Sequence, residues 1–409
     1  AMKISDQFQI PQTVKVQEKC SRLMDTPRSA INGMKISPAI VGARKVQTKA
    51  CVRTPTCAAG AKTLIRTEQK KKILQETGSA PATLKSSYEY YVSLVESNGT
   101  SILPGNDLKL ETFRRVLPKC IASGSVSKED ADFILNGISK GFDLGVDESL
   151  MGHAQVRKNY KSALQNSQLI SDALSKRVDA GKTVVLGPWK SGDSLPSGDK
   201  GCNVPQGGVP KKLEKNVIRP VSDHSKTMLN ASMNLSSIAH TLDTYAEISH
   251  ELKPGYFMRV EDVDGAFPIL PLAPSVFKYM FVIWFDITRP LSEQSEPNTL
   301  YMHTFGDFGT AAMPGVWDKF WRVIKAMARE EGVLTSPMPH FVDDNSLIGP
   351  DAALIDAEAD RLGDWLSSKC GVKFKDIKSK RAATHQLVLG FWWDSIKRTR
   401  SLEKEKLAL

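Results

Sequence analysis

The sequence predicts an α+β fold: an antiparallel sheet in a split β–α–β arrangement with helices on one face. A helical region and an extended basic arm precede it. Three observations predict this. The C-terminal half alternates short β-type runs with two long amphipathic helices, in the order β–α–β(turn)β–α–β. Residues 85–200 carry mainly helical spacing. The charge is uneven: residues 1–80 hold 15 Lys and Arg against 5 Asp and Glu, leaving 40 of each sign elsewhere in a chain of net charge +10.

The arm, 1–84, is rich in Lys, Thr, Pro and Ala and has no sustained period, apart from a short basic helix expected over Lys62–Gln75. Its charge suits a polyanion such as a ribonucleoprotein particle, and a solvated tail explains it equally well. The helical region, 85–200, begins with apolar spacing over Ser86–Ser97. Ser127 and Asp130 form a capping-box-like start to a helix through Ile138. One amphipathic helix is expected over Asn159–Val178, closed by Gly181, then a short strand at Val184–Pro188 and a flexible Gly/Ser/Pro/Asp loop over 190–201. The next segment, 201–258, opens with a β-ribbon: Gly207–Pro210 and Val217–Val221 bracket Lys211, Lys212 and Lys215.

Residues 259–394 carry the sheet. Strands are expected at Arg259–Val263, Phe277–Phe285, Leu300–Thr304, Val372–Lys378 and Leu387–Trp393, with helices over Gly315–Glu331 and Ala353–Lys369. Between the helices, Phe341-Val342-Asp343-Asp344 reads as a strand, a tight turn and a return strand. The tail, 395–409, is short.

Six cysteines (20, 51, 57, 120, 202 and 370) form no CxxC pair, so a zinc site or a disulfide framework is not expected and a reducing, intracellular compartment is. The longest apolar run, Tyr279–Phe285, is too short to span a bilayer, so no membrane partner is expected. No secretory h-region is evident; nucleus, cytoplasm and organelle are not distinguished.

Adjacent carboxylates on a sharp turn can face one cleft, as divalent-metal chemistry on phosphates requires, although a polar hairpin tip in solvent is the simpler reading. Further acids lie in Glu261, Asp262 and Asp264, at the end of a strand that a split sheet sets beside the hairpin. Alternation points Glu261 to the face opposite Asp262, so Glu261 is expected to be structural or solvent-facing. Lys211, Lys212, Lys215 and Arg219 offer positive charge for a triphosphate.

These pieces, in order, resemble a reverse transcriptase, most like those of DIRS-like, tyrosine-recombinase retrotransposons. Gly208–Lys212 with Ile218–Asp223 is similar to the fingers ribbon, Asp262–Phe267 to the first palm motif, and Phe308-Gly309-Thr310-Ala311-Ala312-Met313-Pro314 to the Phe-Gly-x-x-x-Ala-Pro segment. Phe341–Asp344 resembles the Tyr/Phe-x-Asp-Asp box and Leu389-Gly390-Phe391 the primer-grip strand. The resemblance covers about 130–400. Met313, Asp264-Gly265, His224 and the Thr288–Asn298 insertion depart from the pattern; none removes a metal ligand.

The resemblance implies a palm-and-fingers polymerase making DNA on an RNA template from a DNA primer and dNTP, with two Mg²⁺ ions, or Mn²⁺. Asp262, Asp343 and Asp344 would be catalytic and would hold the metals with the Val263 carbonyl. Lys211, Lys212, Arg219, Phe267, Phe308 and Gly309 would bind the nucleotide, with Phe267 excluding a ribose 2′-OH. Pro314, Phe341, Leu389, Gly390 and Phe391 would contact primer or template. Lys378 and Lys380 belong to a basic cluster that suits nucleic-acid phosphates, or a charged edge against aggregation. The family's thumb would not fit in 395–409, so it is expected to be absent or truncated. The alternative is a repurposed, catalytically silent protein serving as an RNA-binding or structural subunit of a ribonucleoprotein.

Overall fold

Among the described residues, helices and four antiparallel sheets make a mixed α+β architecture. The computed structural model describes residues 83–154, 156–210, 218–238, 240 and 242–403. The basic arm, its Lys62–Gln75 helix and the ribbon tip with Lys211, Lys212 and Lys215 lie outside the described residues.

Helices α1 (Leu84–Asn98), α2 (Leu110–Ala122) and α3 (Lys128–Lys140) lead in. Ser127 caps α3 by accepting from the Asp130 N–H, as its sequence predicts. The expected single helix over Asn159–Val178 is two, α4 (Lys161–Gln165) and α5 (Ser167–Asp179). Asn166 breaks it: its side chain donates to the Ser162 carbonyl at 2.8 Å while its own backbone leaves the helical region.

Strand β1 (Thr183–Pro188) then pairs with β6 (Thr299–His303), which pairs with β5 (Phe281–Trp284). The lead-in and the expected palm region therefore share a sheet. On it, Ile170 and Leu174 of α5 meet Val282, Trp284 and Tyr301. Strands β2 (Gln206–Pro210) and β3 (Ile218–Ser222) form the predicted ribbon. Short helices α6 (Leu229–Ser232) and α7 (Tyr245–Glu251) follow, and α8 (Pro274–Phe277) precedes β5.

The sheet that matters most has the order β7 (His340–Phe341), β8 (Asp344–Gly349), β4 (Phe257–Asp262), β9 (Lys380–Ala383). Its Arg259 and Glu261 face α10 (Ala352–Trp365), through ion pairs from Arg259 to Asp356 and Asp360. On its other face Met258, Val260 and Ile348 meet Ile248 of α7 and Val388 and Trp393. Glu261 is thus opposite Asp262 as alternation requires, but it is buried (1% exposed), not solvent-facing.

Helix α9 (Met313–Glu330) is the central strut. It buries Trp317, Phe320, Trp321, Ile324 and Met327, and Phe320 stacks on Phe113 of α2 at 5.9 Å.

Two expectations near the C-terminus are corrected. Val372–Lys378 is not a strand: Lys375–Lys378 turns back on itself, and the strand is Lys380–Ala383. Leu387–Trp393 is a hairpin, β10 (His385–Val388) and β11 (Phe391–Asp394), because Leu389 and Gly390 both take positive φ (51° and 79°). The tail adds β12 (Thr399–Leu402) beside β11. Alternating apolar residues hid the first turn, and a polar strand hid the last.

Among the described residues no helix is long and apolar enough to cross a membrane. Cys120, Cys202 and Cys370 are free and buried.

Candidate active site

The acidic turn is a two-residue hairpin. Phe341 pairs with Asp344, leaving Val342 and Asp343 as the turn. Val342 has φ +55° and Asp343 does not share the positive φ, the pattern of a type II′ turn, whose first position favours glycine. A valine there is a backbone outlier costing on the order of 1–3 kcal/mol.

Strand pairing brings the distant acid in. Asp262 and Asp344 are direct cross-strand partners, so their side chains share a face. The Val263 N–H donates to the Asp343 carbonyl at 2.9 Å, and the Lys375 N–H to the Asp262 carbonyl at 2.8 Å, locking the register. Asp262 is buried (3% exposed) and Asp343 and Asp344 are half-buried. Burial, then the Asp262 charge, raises Asp343 above the usual carboxylate range. Burial, then Asp343 and Asp262, pushes Asp344 up to about 6. The sheet has gathered three carboxylates that repel one another.

A lysine answers them. The Lys378 ammonium pairs with Asp262 Oδ2. Sequence reasoning placed Lys378 among phosphate-contacting lysines; the structure puts it on the acid. The turn that carries Lys378 replaces the strand expected there, which is why the contact was illegible.

Asp343, Asp344 and Lys378 line a cavity of about 820 Å³. Arg219, Phe308, Arg177, His303 and Asp307 line its other walls. Phe267 is buried behind it with its ring centroid 5.1 Å from Phe308, and Pro268 reaches the cavity. Gly309 has φ +93° and lies against β3, where a Cβ would sit 2.3 Å from the Ser222 carbonyl oxygen. Asn230 holds this loop, donating to the Gly309 carbonyl at 2.9 Å and accepting from the Ala311 N–H at 2.8 Å. Pro314 occupies the first turn of α9, and Phe341 is 40% exposed beside the acids.

Other expected residues sit elsewhere. Leu389, Gly390 and Phe391 lie on the separate β10–β11–β12 sheet, where Phe391 meets Tyr245 and Arg400. Lys380 starts β9, opposite Val260. Lys211 and Lys212 fall outside the described residues.

Sequence reasoning missed two groups. One is α9's grip on the turn: Trp317 Nε1 donates to the Val342 carbonyl at 2.7 Å, and Trp321 Nε1 to Asn345 Oδ1 at 2.7 Å. Asn345 Nδ2 in turn donates to the Asp343 carbonyl at 2.9 Å. Tryptophans spaced i,i+4 on one helix face were the available signal.

The other is a buried polar wall. Arg177 Nη1 lies 3.3 Å from Asp307 Oδ1, with His224 and His303 Nε2 at 3.5 and 3.7 Å from Oδ2. Burial would raise Asp307, but Arg177 and the two histidines hold it well below the usual range. Burial and then Arg177 lower His303 to about 3, and its Nδ1 meets Thr183 Oγ1 at 2.7 Å.

His303 is therefore neutral in the fold while the unfolded chain takes up a proton near pH 6.5. Between pH 6.5 and 3 the unfolded state binds more protons, so stability falls as pH falls. Going from pH 7 to 5, His303 should remove about 2 kcal/mol. Asp307 is ionised in both states across that window. Urea denaturation at the two pH values should show a smaller pH difference for His303→Gln than for the wild type; equal differences would refute this.

No family model matches the chain, and no curated protein does. Among solved structures it is similar to the protease–reverse transcriptase of prototype foamy virus. The native crystal structure matches at 14% identity and TM-score 0.43, over 61% of this chain and 27% of that one. The foamy viral enzyme with double-stranded DNA matches at 13% and 0.45, over 72% and 47%. The complex with an RNA/DNA hybrid matches at 14% and 0.48, over 72% and 36%. The chain thus spans between about a quarter and a half of these proteins' length. At these values the similarity assigns no residue.

Proposed function

We propose that this chain is a template-directed nucleotidyltransferase of reverse-transcriptase type, extending a DNA primer on RNA with dNTP. One observation carries the reading. Two strands and a strained turn assemble Asp262, Asp343 and Asp344, with no structural requirement for three repelling carboxylates, at the edge of a cavity with cationic walls.

The donors suit Mg²⁺ or Mn²⁺, which select hard carboxylate oxygens. Among the described residues no group of three or more His, Cys, Asp or Glu side chains stands as a ready-made metal cage. Asp262 is instead paired with Lys378, so the full donor set requires that ammonium to move aside. Bound there, the metal supplies Lewis-acid stabilisation of the attacking and leaving oxygens. Asp262, Asp343, Asp344 and the Val263 carbonyl would hold it. Arg219 would pair with the triphosphate, and Phe267, backed by Phe308, would exclude a 2′-OH. Phe391 and the β10–β11 turn would contact the primer, away from the cavity.

The test is primer extension by the full chain on oligo(dT)-primed poly(rA), with Mg²⁺ or Mn²⁺. Incorporation dependent on metal and template is the expected result; none under either metal would overturn the reading. The Lys378–Asp262 pair favours a second reading, a silent RNA-binding subunit whose own lysine neutralises the site. That reading predicts RNA binding without incorporation.

A further inference from the structure

The backbone conformation at the acidic turn is not one its own sequence favours. Val342 takes φ +55°, where a β-branched residue is strained and glycine is not. Something outside the turn must hold it, and the contacts identify helix α9. Trp317 is fully buried, lies nearly parallel to Trp321 at 5.4 Å, and directs its indole N–H to the Val342 carbonyl at 2.7 Å. Trp321 reaches the same turn through Asn345, whose amide donates to the Asp343 carbonyl at 2.9 Å. One turn residue along, that carbonyl also accepts from the Val263 N–H.

We infer that Trp317 is a positioning residue: its hydrogen bond to the Val342 carbonyl holds the strained turn that aims Asp343 at Asp262. This deepens the proposed function and rests on the reading of these acids as a cation site. A buried indole N–H needs an acceptor, and the turn carbonyl needs a donor, so each group fixes the other. Rigid packing of Trp317 between Phe320, at 5.7 Å, and Trp321 makes the helix the reference frame and the turn the adjusted part.

The tests use the full chain and two readouts: hydrogen exchange of the 340–345 segment without metal, and Mn²⁺ binding by electron paramagnetic resonance. Trp317→Phe should raise exchange and weaken Mn²⁺ binding, each roughly five- to tenfold. Val342→Gly removes the strain, so Trp317→Phe with Val342→Gly should recover both readouts to within about threefold of the wild type. Benzothienylalanine at position 317 keeps the indole's shape without its N–H and should reproduce Trp317→Phe; this covers a phenylalanine variant that fails to fold. Unchanged exchange in the benzothienylalanine protein, or a double variant as impaired as Trp317→Phe, would overturn the inference. If the wild type binds no Mn²⁺, the cation-site reading fails, while the exchange data still decide whether Trp317 holds the turn.

Discussion

Asp343→Asn should lower primer extension by about 10³-fold, roughly 4 kcal/mol of transition-state stabilisation, while leaving the fold as stable as before or more so. The two effects have one cause. Burial and then the Asp262 charge raise the half-buried Asp343, and after burial it is the Asp343 charge that helps push Asp344 up to about 6. Ionised together, these carboxylates cost the empty protein stability, and a neutral isostere relieves part of that cost. A structural aspartate would behave oppositely, since its removal would unpair a partner. The measurement is single-turnover extension alongside a thermal melt of the same preparation. A lower melting point with lost activity would assign Asp343 to the fold; unchanged activity would remove it from the chemistry.

Arg259→Met should destabilise the fold by about 3–5 kcal/mol. Arg259 is the hub on the face of β4 away from the acids, with Nε 2.6 Å from Glu261 Oε1 and its two terminal nitrogens 3.0 and 2.8 Å from Asp356 and Asp360. Glu261 is 1% exposed, and its other oxygen accepts from Ser379, so losing the guanidinium leaves a buried charge half-paired. Replacing both members, Arg259→Met with Glu261→Leu, should recover most of the loss, because the buried pair itself contributes little beyond a well-packed apolar substitute. Chemical denaturation of the two singles and the double measures this. A double variant as unstable as Arg259→Met would show that the guanidinium stabilises through Asp356 and Asp360 rather than by neutralising Glu261.

The acidic hairpin was legible because it needs only local grammar: apolar residues, two acids, apolar residues. Its pairing with Asp262 was legible because alternation leaves that residue, not Glu261, on the hairpin's face. What stayed hidden depended on turns. Lys378 reaches Asp262 only because Lys375–Lys378 folds back, and the lysine-rich, alternating run gave no sign of it. Leu389 at positive φ contradicts its own preference, so a turn there was invisible in the sequence. Trp317 reads as core from its helical spacing, and it is core; that its N–H also serves a turn carbonyl is a property of the packed state alone.

Strand β1 bears on where this protein can be divided. It comes from the helical lead-in, yet it forms one flank of the sheet whose middle strand, β6, is buried along its whole length. A piece of the chain starting at 201, at the edge of the ribbon, would strip that flank and present β6's unpaired backbone and apolar side chains to solvent. Division at 201 would therefore part the acid-bearing segments from a strand more than seventy residues upstream of Asp262 that completes their neighbouring sheet, so the lead-in and those segments are expected to fold together.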